Sequence, residues 1–222
     1  MFGTSKSTKI NMELNREVEL MLKEARTEND GLLPIVQAGE PVLRQKTAKY
    51  QGQLTKATFR KLIETMRHTM IEAPGVGLAA TQIGLSLAFA VMEDHVGAED
   101  DNDPREAAEL PFRVIVNPVY TPVGEETRSF YEGCLSFDGY QAVRRRWLDI
   151  DAEWDDETGA HHKERMHGWP ARIFQHETDH LSGELYIDKA EIRSLTTYDN
   201  LEDYWCDDPV PTLAAKELGF EL

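Results

Sequence analysis

Apolar positions along this chain follow two periods. From Asn11 to Arg26, and more firmly from Leu54 to Ile71, they recur at helical spacing, with Leu62, Met66, Thr69 and Met70 marking one side of the second segment. Leu87 to Met92 and Phe112 to Val116 are short continuous apolar runs, the form of buried strands, and the second is expected to end at Asn117-Pro118. Glu125 to Tyr131, Val143 to Trp154 and His161 to Met166 read as further strands, with turns at Phe137-Asp138-Gly139 and from Asp155 to Gly159. A last helix runs from near Trp169 to Ser182, with Pro170 close to its start and Ile173, Phe174 and Leu181 on its apolar side. Strands first and a helix across them predict an α+β fold, antiparallel or mixed strands packed around that helix.

Length and charge divide the chain. Its 222 residues fit one domain with appendages: an extension over 1–30, a body over 31–192 and a tail over 193–222. The net charge of −16 is concentrated. Glu93 to Leu110 carries eight acids against Arg105, and Thr196 to Leu222 carries seven acids against Lys216. The first segment, 93–110, reads as a loop or acidic insertion, and an acidic surface argues against direct contact with nucleic-acid phosphates. No apolar run approaches the roughly 18 residues of a membrane span. Met1 to Asp30, with Glu13, Glu17, Glu19, Glu24 and Glu28, has the pattern of neither a signal peptide nor a transit peptide. Two cysteines, one of them a candidate ligand, suggest a reducing compartment, and the expectation is a cytoplasmic protein.

The chemistry concentrates in His176-Glu177-Thr178-Asp179-His180. On a helix, residues i and i+4 share a face, so His176 and His180 can close on one metal ion while Glu177 reaches a water beside it. Hydrolytic metal sites commonly take three protein ligands, and the chain offers Cys134, within Glu132-Gly133-Cys134-Leu135-Ser136, and Cys206, in the acidic tail. A glycine-rich stretch, Gly75-Val76-Gly77-Leu78-Ala79-Ala80-Thr81-Gln82, lacks the lysine and spacing of a phosphate loop. His68, His95, His161, His162 and His167 lack ligand spacing and fit surface or structural roles. Of Arg144, Arg145 and Arg146, at most two share a strand face, and one could pair with Glu132.

Taken in order, Gly-x-Gly-Leu-Ala-Ala-x-Gln, Glu-Gly-Cys-Leu-Ser and Gln-His-Glu-x-Asp-His-Leu-x-Gly resemble the three motifs of the peptide deformylase family, over roughly Leu33 to Ala190. The resemblance implies a metallohydrolase that removes formate from the N-terminal formyl-methionine of nascent chains. It implies one divalent metal ion per chain on Cys134, His176 and His180, with Fe²⁺ favoured for activity and Zn²⁺ or Ni²⁺ compatible. Glu177 would be general base and acid, and Gln82 with the backbone N–H of Leu135 would stabilise the oxyanion. Gly75, Val76, Gly77 and Gly133 would offer backbone groups to an extended peptide, and Ile173 and Val76 would line the methionine pocket. Asp138 stands where the family often has proline.

Two other readings share the helix motif. A zincin-type metallopeptidase would need a third ligand further on, yet Tyr186 occupies the histidine position, which leaves Glu191 or Glu202. A metal-stabilised binding module would normally have lost Glu177 or Gln82. The acidic tail does not resemble the basic helix with which some family members are thought to dock on the ribosome, so ribosome contact is expected to be transient at most. Its removal is expected to leave turnover of a formylated tripeptide largely intact.

Overall fold

Side-chain caps start the first two long helices. Asn11 accepts from the Leu14 amide (3.2 Å) ahead of α1 (Met12–Glu28), and Thr55 accepts from the Thr58 amide (3.1 Å) ahead of α2 (Lys56–Glu72). Val18, Leu22 and Ala25 of α1 face α2, whose buried side includes Leu62, Met66, Thr69 and Met70, as the periodicity predicts. The computed structural model describes residues 10–95 and 103–222.

The strands are β1 (Ala48–Lys49), β2 (Gly77–Ala79), β3 (Leu87–Asp94), β4 (Leu110–Pro122), β5 (Thr127–Gly133), β6 (Tyr140–Trp147), β7 (Asp149–Asp155), β8 (His161–His167) and β9 (Thr196–Thr197). A larger sheet runs β1-β3-β4-β7-β8 with β2 also on β3, and a smaller one runs β5-β6-β9. Only the β1–β3 pairing is parallel among those described. β3 is buried along its whole length because both its faces are covered. Leu87, Phe89 and Val91 meet the cluster formed with α1 and α2; Ala88, Ala90 and Met92 meet Ala171, Ile173 and Phe174 of α3 (Gly168–Leu181). Each large apolar side chain enclosed this way contributes roughly 1.5–3 kcal/mol. α3 lies against β2, β3, β4, β7 and β8 of the larger sheet and β6 of the smaller.

Three expectations need correction. β4 does not stop at Asn117-Pro118 but continues to Pro122. Asn117 takes φ +51°, its side chain bonds both backbone groups of Tyr50 (2.9 and 2.8 Å), and the register with β7 shifts between Val116 and Val119. The dipeptide makes a bulge rather than an end. Val143 to Trp154 is not one strand: the chain leaves the smaller sheet after Trp147 and enters the larger at Asp149, with Leu148 between them. Within the acidic segment, Glu93 and Asp94 belong to β3 and are buried, residues 96–102 lie outside the described residues, and Leu110 opens β4.

The tail is built into the body. β9 pairs with β6, then α4 (Tyr198–Tyr204) and α5 (Thr212–Leu218) follow, with Ala214 and Ala215 buried. No helix among the described residues is long and apolar enough to cross a membrane.

Candidate metal centre

α3 begins at a glycine for a steric reason. Gly168 has φ +61°, and a Cβ there would lie 2.4 Å from the carbonyl oxygen of Glu106. Two turns on, His176 and His180 share one face and bring their Nε2 atoms to 3.2 Å. Cys134, just past the end of β5, places Sγ 3.3 Å from His180 Nε2. The three donor atoms lie within 4.8 Å of one another. Gln82 closes a 3-10 turn by accepting from the Ala79 amide (2.8 Å) and points its own amide at Cys134 Sγ (3.6 Å).

A buried ionic frame holds this group from behind. Glu132 meets His176 Nδ1 at 3.1 Å, which leaves Nε2 facing the other two donors. Arg146 grips Glu132 with two hydrogen bonds (2.6 and 2.9 Å) and donates to Asp179 (2.8 Å); Arg172 also donates to Glu132 (2.6 Å). Tyr120 closes the far side by donating to Asp179 (2.9 Å). Burial raises Glu132, but Arg146, His176 and Arg172 hold it well below the usual carboxylate range. Burial drives His180 down and so keeps its ring neutral; burial also lowers His176, but Cys134 and Glu132 outweigh that and push it up to about 10. The two imidazoles turn their Nε2 atoms toward each other and toward Cys134 Sγ, with the Glu132 carboxylate behind His176. A thiolate and two imidazoles are a donor set suited to a single divalent transition ion, so the residues fit a metal.

Cys134 and His176 open onto a pocket of about 450 Å³, with His180 buried behind them. Gly75, Val76, Gly77 and Gln82 line one side; Gly133, Cys134 and Leu135 line another, with Ile173, His176 and Glu177 at the base. Glu177 is 3 % exposed, its Oε2 has no hydrogen-bond partner among the described residues, and burial pushes its pKa up to about 7 against the pull of His176 and Arg146. Each candidate named from the motifs is therefore in or beside this pocket. Not all their backbone groups are free: the Gly75 amide donates to Met70 (2.9 Å) and the Val76 carbonyl accepts from Glu93 (3.0 Å). The Leu135 amide donates no hydrogen bond among the described residues. Glu191, Glu202 and Cys206 are not in the donor cluster, and Tyr186 stacks on the His176 ring with 6.2 Å between centres.

A model of the polypeptide deformylase family matches residues 32–195. The chain is 72 % identical to peptide deformylase 1 of Bifidobacterium longum over the full length of both, and 49 % identical to peptide deformylase 1 of Streptomyces coelicolor over 86 % of this chain and 88 % of that one. The chain belongs to the polypeptide deformylase family. Among solved structures, the peptide deformylase of Thermotoga maritima superposes with a TM-score of 0.60 at 33 % identity, covering 71 % of this chain and 97 % of that one. A Met-Ala-Ser-bound peptide deformylase of Acinetobacter baumannii gives 0.63 at 29 % identity, over 71 % and 98 %.

In this deformylase the pocket has walls that the motifs do not announce. Phe130, Tyr131, Trp169 and Arg172 line it, with Arg105 from the acidic segment. Arg172 lies over the Phe130 ring (4.9 Å to its centre). The one usable signal was alternation: Phe130 and Glu132 are the buried positions of β5. The tail adds Tyr198, Leu201, Trp205, Cys206, Asp208 and Pro209, which removes the ground for treating it as dispensable. The other histidines sit by surface acids, among them His161 with Asp155 (3.0 Å) and His162 with Asp156 (2.8 Å).

Proposed function

We propose that this deformylase hydrolyses the formyl amide of N-terminal formyl-methionine on nascent polypeptides at the Cys134–His176–His180 centre, releasing formate, with α3 as the central site helix. The convergence of those three donors beside the buried carboxylate of Glu177 carries the reading. Cys134 Sγ and the two Nε2 atoms would hold one divalent ion, Fe²⁺ for full activity and Zn²⁺ or Ni²⁺ as substitutes, and the ion would supply Lewis-acid polarisation and a more acidic water.

The chain's own residues do the rest. Glu177 takes the proton of the attacking water and returns it to the methionine nitrogen, which leaves poorly unless protonated. Gln82, its orientation set by the bond to Ala79, and the unengaged Leu135 amide donate to the oxyanion, a contribution of roughly 3–4 kcal/mol each. Among the described residues β2 pairs only with β3, and β5 only with β6, so each leaves an edge beside the pocket to which an extended peptide can add by backbone bonds. Such bonds ignore side-chain identity and suit an enzyme that meets many sequences. Ile173, Val76 and Phe130 supply apolar surface for the methionine side chain. The substrates are nascent chains in the cytoplasm, and seven acids against Lys216 from Thr196 to Leu222 make the tail a poor partner for ribosomal RNA.

Anaerobic incubation of the iron-loaded protein with formyl-Met-Ala-Ser, followed by formate detection, tests the reading. Formate release supports it. Cleavage of the Met-Ala bond, or binding without turnover, replaces it with a peptidase or a binding module.

A further inference from the structure

α4 turns an apolar face toward the catalytic pocket. Tyr198, Leu201 and Trp205 fall at i, i+3 and i+7, one side of a helical turn pattern, and all three line the pocket. None of α4 is fully buried: Tyr198 is 42 % exposed, and Leu201 and Trp205 are half-buried. Asp199, Glu202 and Asp203, on the remaining sides, are exposed to solvent. The helix is fixed in place from both ends. β9 pairs with β6 just before it, the Tyr198 amide donates to the Gly139 carbonyl (3.2 Å), and α5 packs against the 3-10 turn Ile192–Ser194 beyond it. The Tyr198 hydroxyl lies 3.6 Å from where a Cβ of Gly133 would stand, so this face is continuous with the loop that carries Cys134.

We propose that α4 forms the subsite for the side chains that follow formyl-methionine, and that Leu201 and Trp205 select large apolar residues there. This rests on the deformylase reading of the pocket. The part of the pocket beside Ile173, His176 and Glu177 is claimed by the formyl-methionine itself, and Tyr198, Leu201 and Trp205 give the same pocket an apolar wall outside it. Leu201 and Trp205 are specificity-determining residues that touch the peptide away from the reacting atoms, so their contribution belongs in KM and in the choice among substrates.

The test uses the full-length, metal-loaded protein and three substrates: formyl-methionine amide, formyl-Met-Gly-Gly and formyl-Met-Leu-Leu. In the wild type, kcat/KM is expected to favour the Leu-Leu peptide over the Gly-Gly peptide by about tenfold. Leu201→Ala/Trp205→Ala is expected to raise KM for formyl-Met-Leu-Leu about tenfold with kcat within twofold, to leave formyl-methionine amide unchanged, and to erase the preference. Trp205→Phe restores most of it, and Glu202→Ala/Asp203→Ala on the outer sides changes nothing. Equal losses on all three substrates would assign the tail a purely structural role and overturn the proposal, as would an intact preference in the double variant. Formate release by the wild type with no preference overturns the subsite alone. No formate release from any substrate overturns the deformylase reading and the subsite with it.

Discussion

A Cβ built on Gly77 would lie 2.1 Å from Oε1 of Glu177. The β2 backbone and the carboxylate are thus in direct contact, and the glycine is required by proximity, not by an unusual φ. Gly77→Ala is expected to displace the carboxylate by about 1 Å and lower kcat/KM about 100-fold, with metal content near wild type. A loss of less than threefold would mean that the carboxylate moves aside without consequence.

Glu177→Gln keeps the shape of the side chain and removes its ability to accept a proton. The expected result is wild-type metal content with turnover reduced 10²-fold or more. Full metal load with less than about a tenfold loss would remove Glu177 from the role of general base.

Cys134→Ala is expected to strip tightly bound metal, and Cys206→Ala to leave it, since only Cys134 belongs to the donor cluster. Metal analysis after dialysis decides. The reverse pattern would move the ligand to the tail.

Arg146 is 3 % exposed and holds both Glu132 and Asp179. Arg146→Met removes the cation that Glu132 and Asp179 share, leaving Glu132 to Arg172 and Asp179 to a more distant Arg144, and is expected to cost about 3–5 kcal/mol in urea unfolding. Arg145→Met, one residue away on the exposed side of β6, is expected to stay within about 0.5 kcal/mol. Similar costs for the two would show that the frame does not depend on its buried arginine.

Glu93 is buried beneath a half-exposed Arg67, which donates to it from Nε (2.6 Å) and from Nη2. The Arg67 guanidinium holds Glu93 below its ordinary value. A depressed carboxylate adds stability above its unfolded-state pKa and loses it as pH falls through the folded-state value. Glu93→Gln is therefore expected to be less stable than wild type by about 1–3 kcal/mol at pH 7, with the gap closing only below the ordinary carboxylate range. A gap that stays constant across that range would mean the pair contributes no charge-dependent stability.

Periodicity was sufficient for α1, α2, β3 and α3, because each buries a regular face. Leu62, Met66 and Met70 on α2 and the uninterrupted run of β3 are direct imprints of that burial. It failed where the chain changes partner without changing composition. Nothing local marks Leu148 as the residue where one sheet is exchanged for the other, since buried positions alternate across it at Arg144, Arg146, Leu148 and Ile150. Asn117-Pro118 has turn chemistry, yet here the asparagine's hydrogen bonds to Tyr50 keep the strand going. The candidate donors could be named from residue type and spacing alone, and the fold brings Cys134, His176 and His180 within 4.8 Å of one another. The frame was half legible: of three consecutive arginines at most two could share a strand face and one could pair with Glu132, as Arg146 does, but Arg172 on α3 carries no such mark. The α4 wall was invisible, because its apolar side chains are few and set among acids.

The distances along the chain between the donors have a consequence for how the enzyme comes into being. Gln82 and Cys134 are 52 residues apart, and Cys134 and His180 are 46 apart. Bringing them together requires closure of two long loops, whereas α1 and α2 form from neighbouring residues. A growing copy that has not yet reached His180 holds no triad at all. Ion uptake by a refolding chain is therefore expected to lag the appearance of helix, and the interval between the two signals times the closure of the loop from Cys134 to His180.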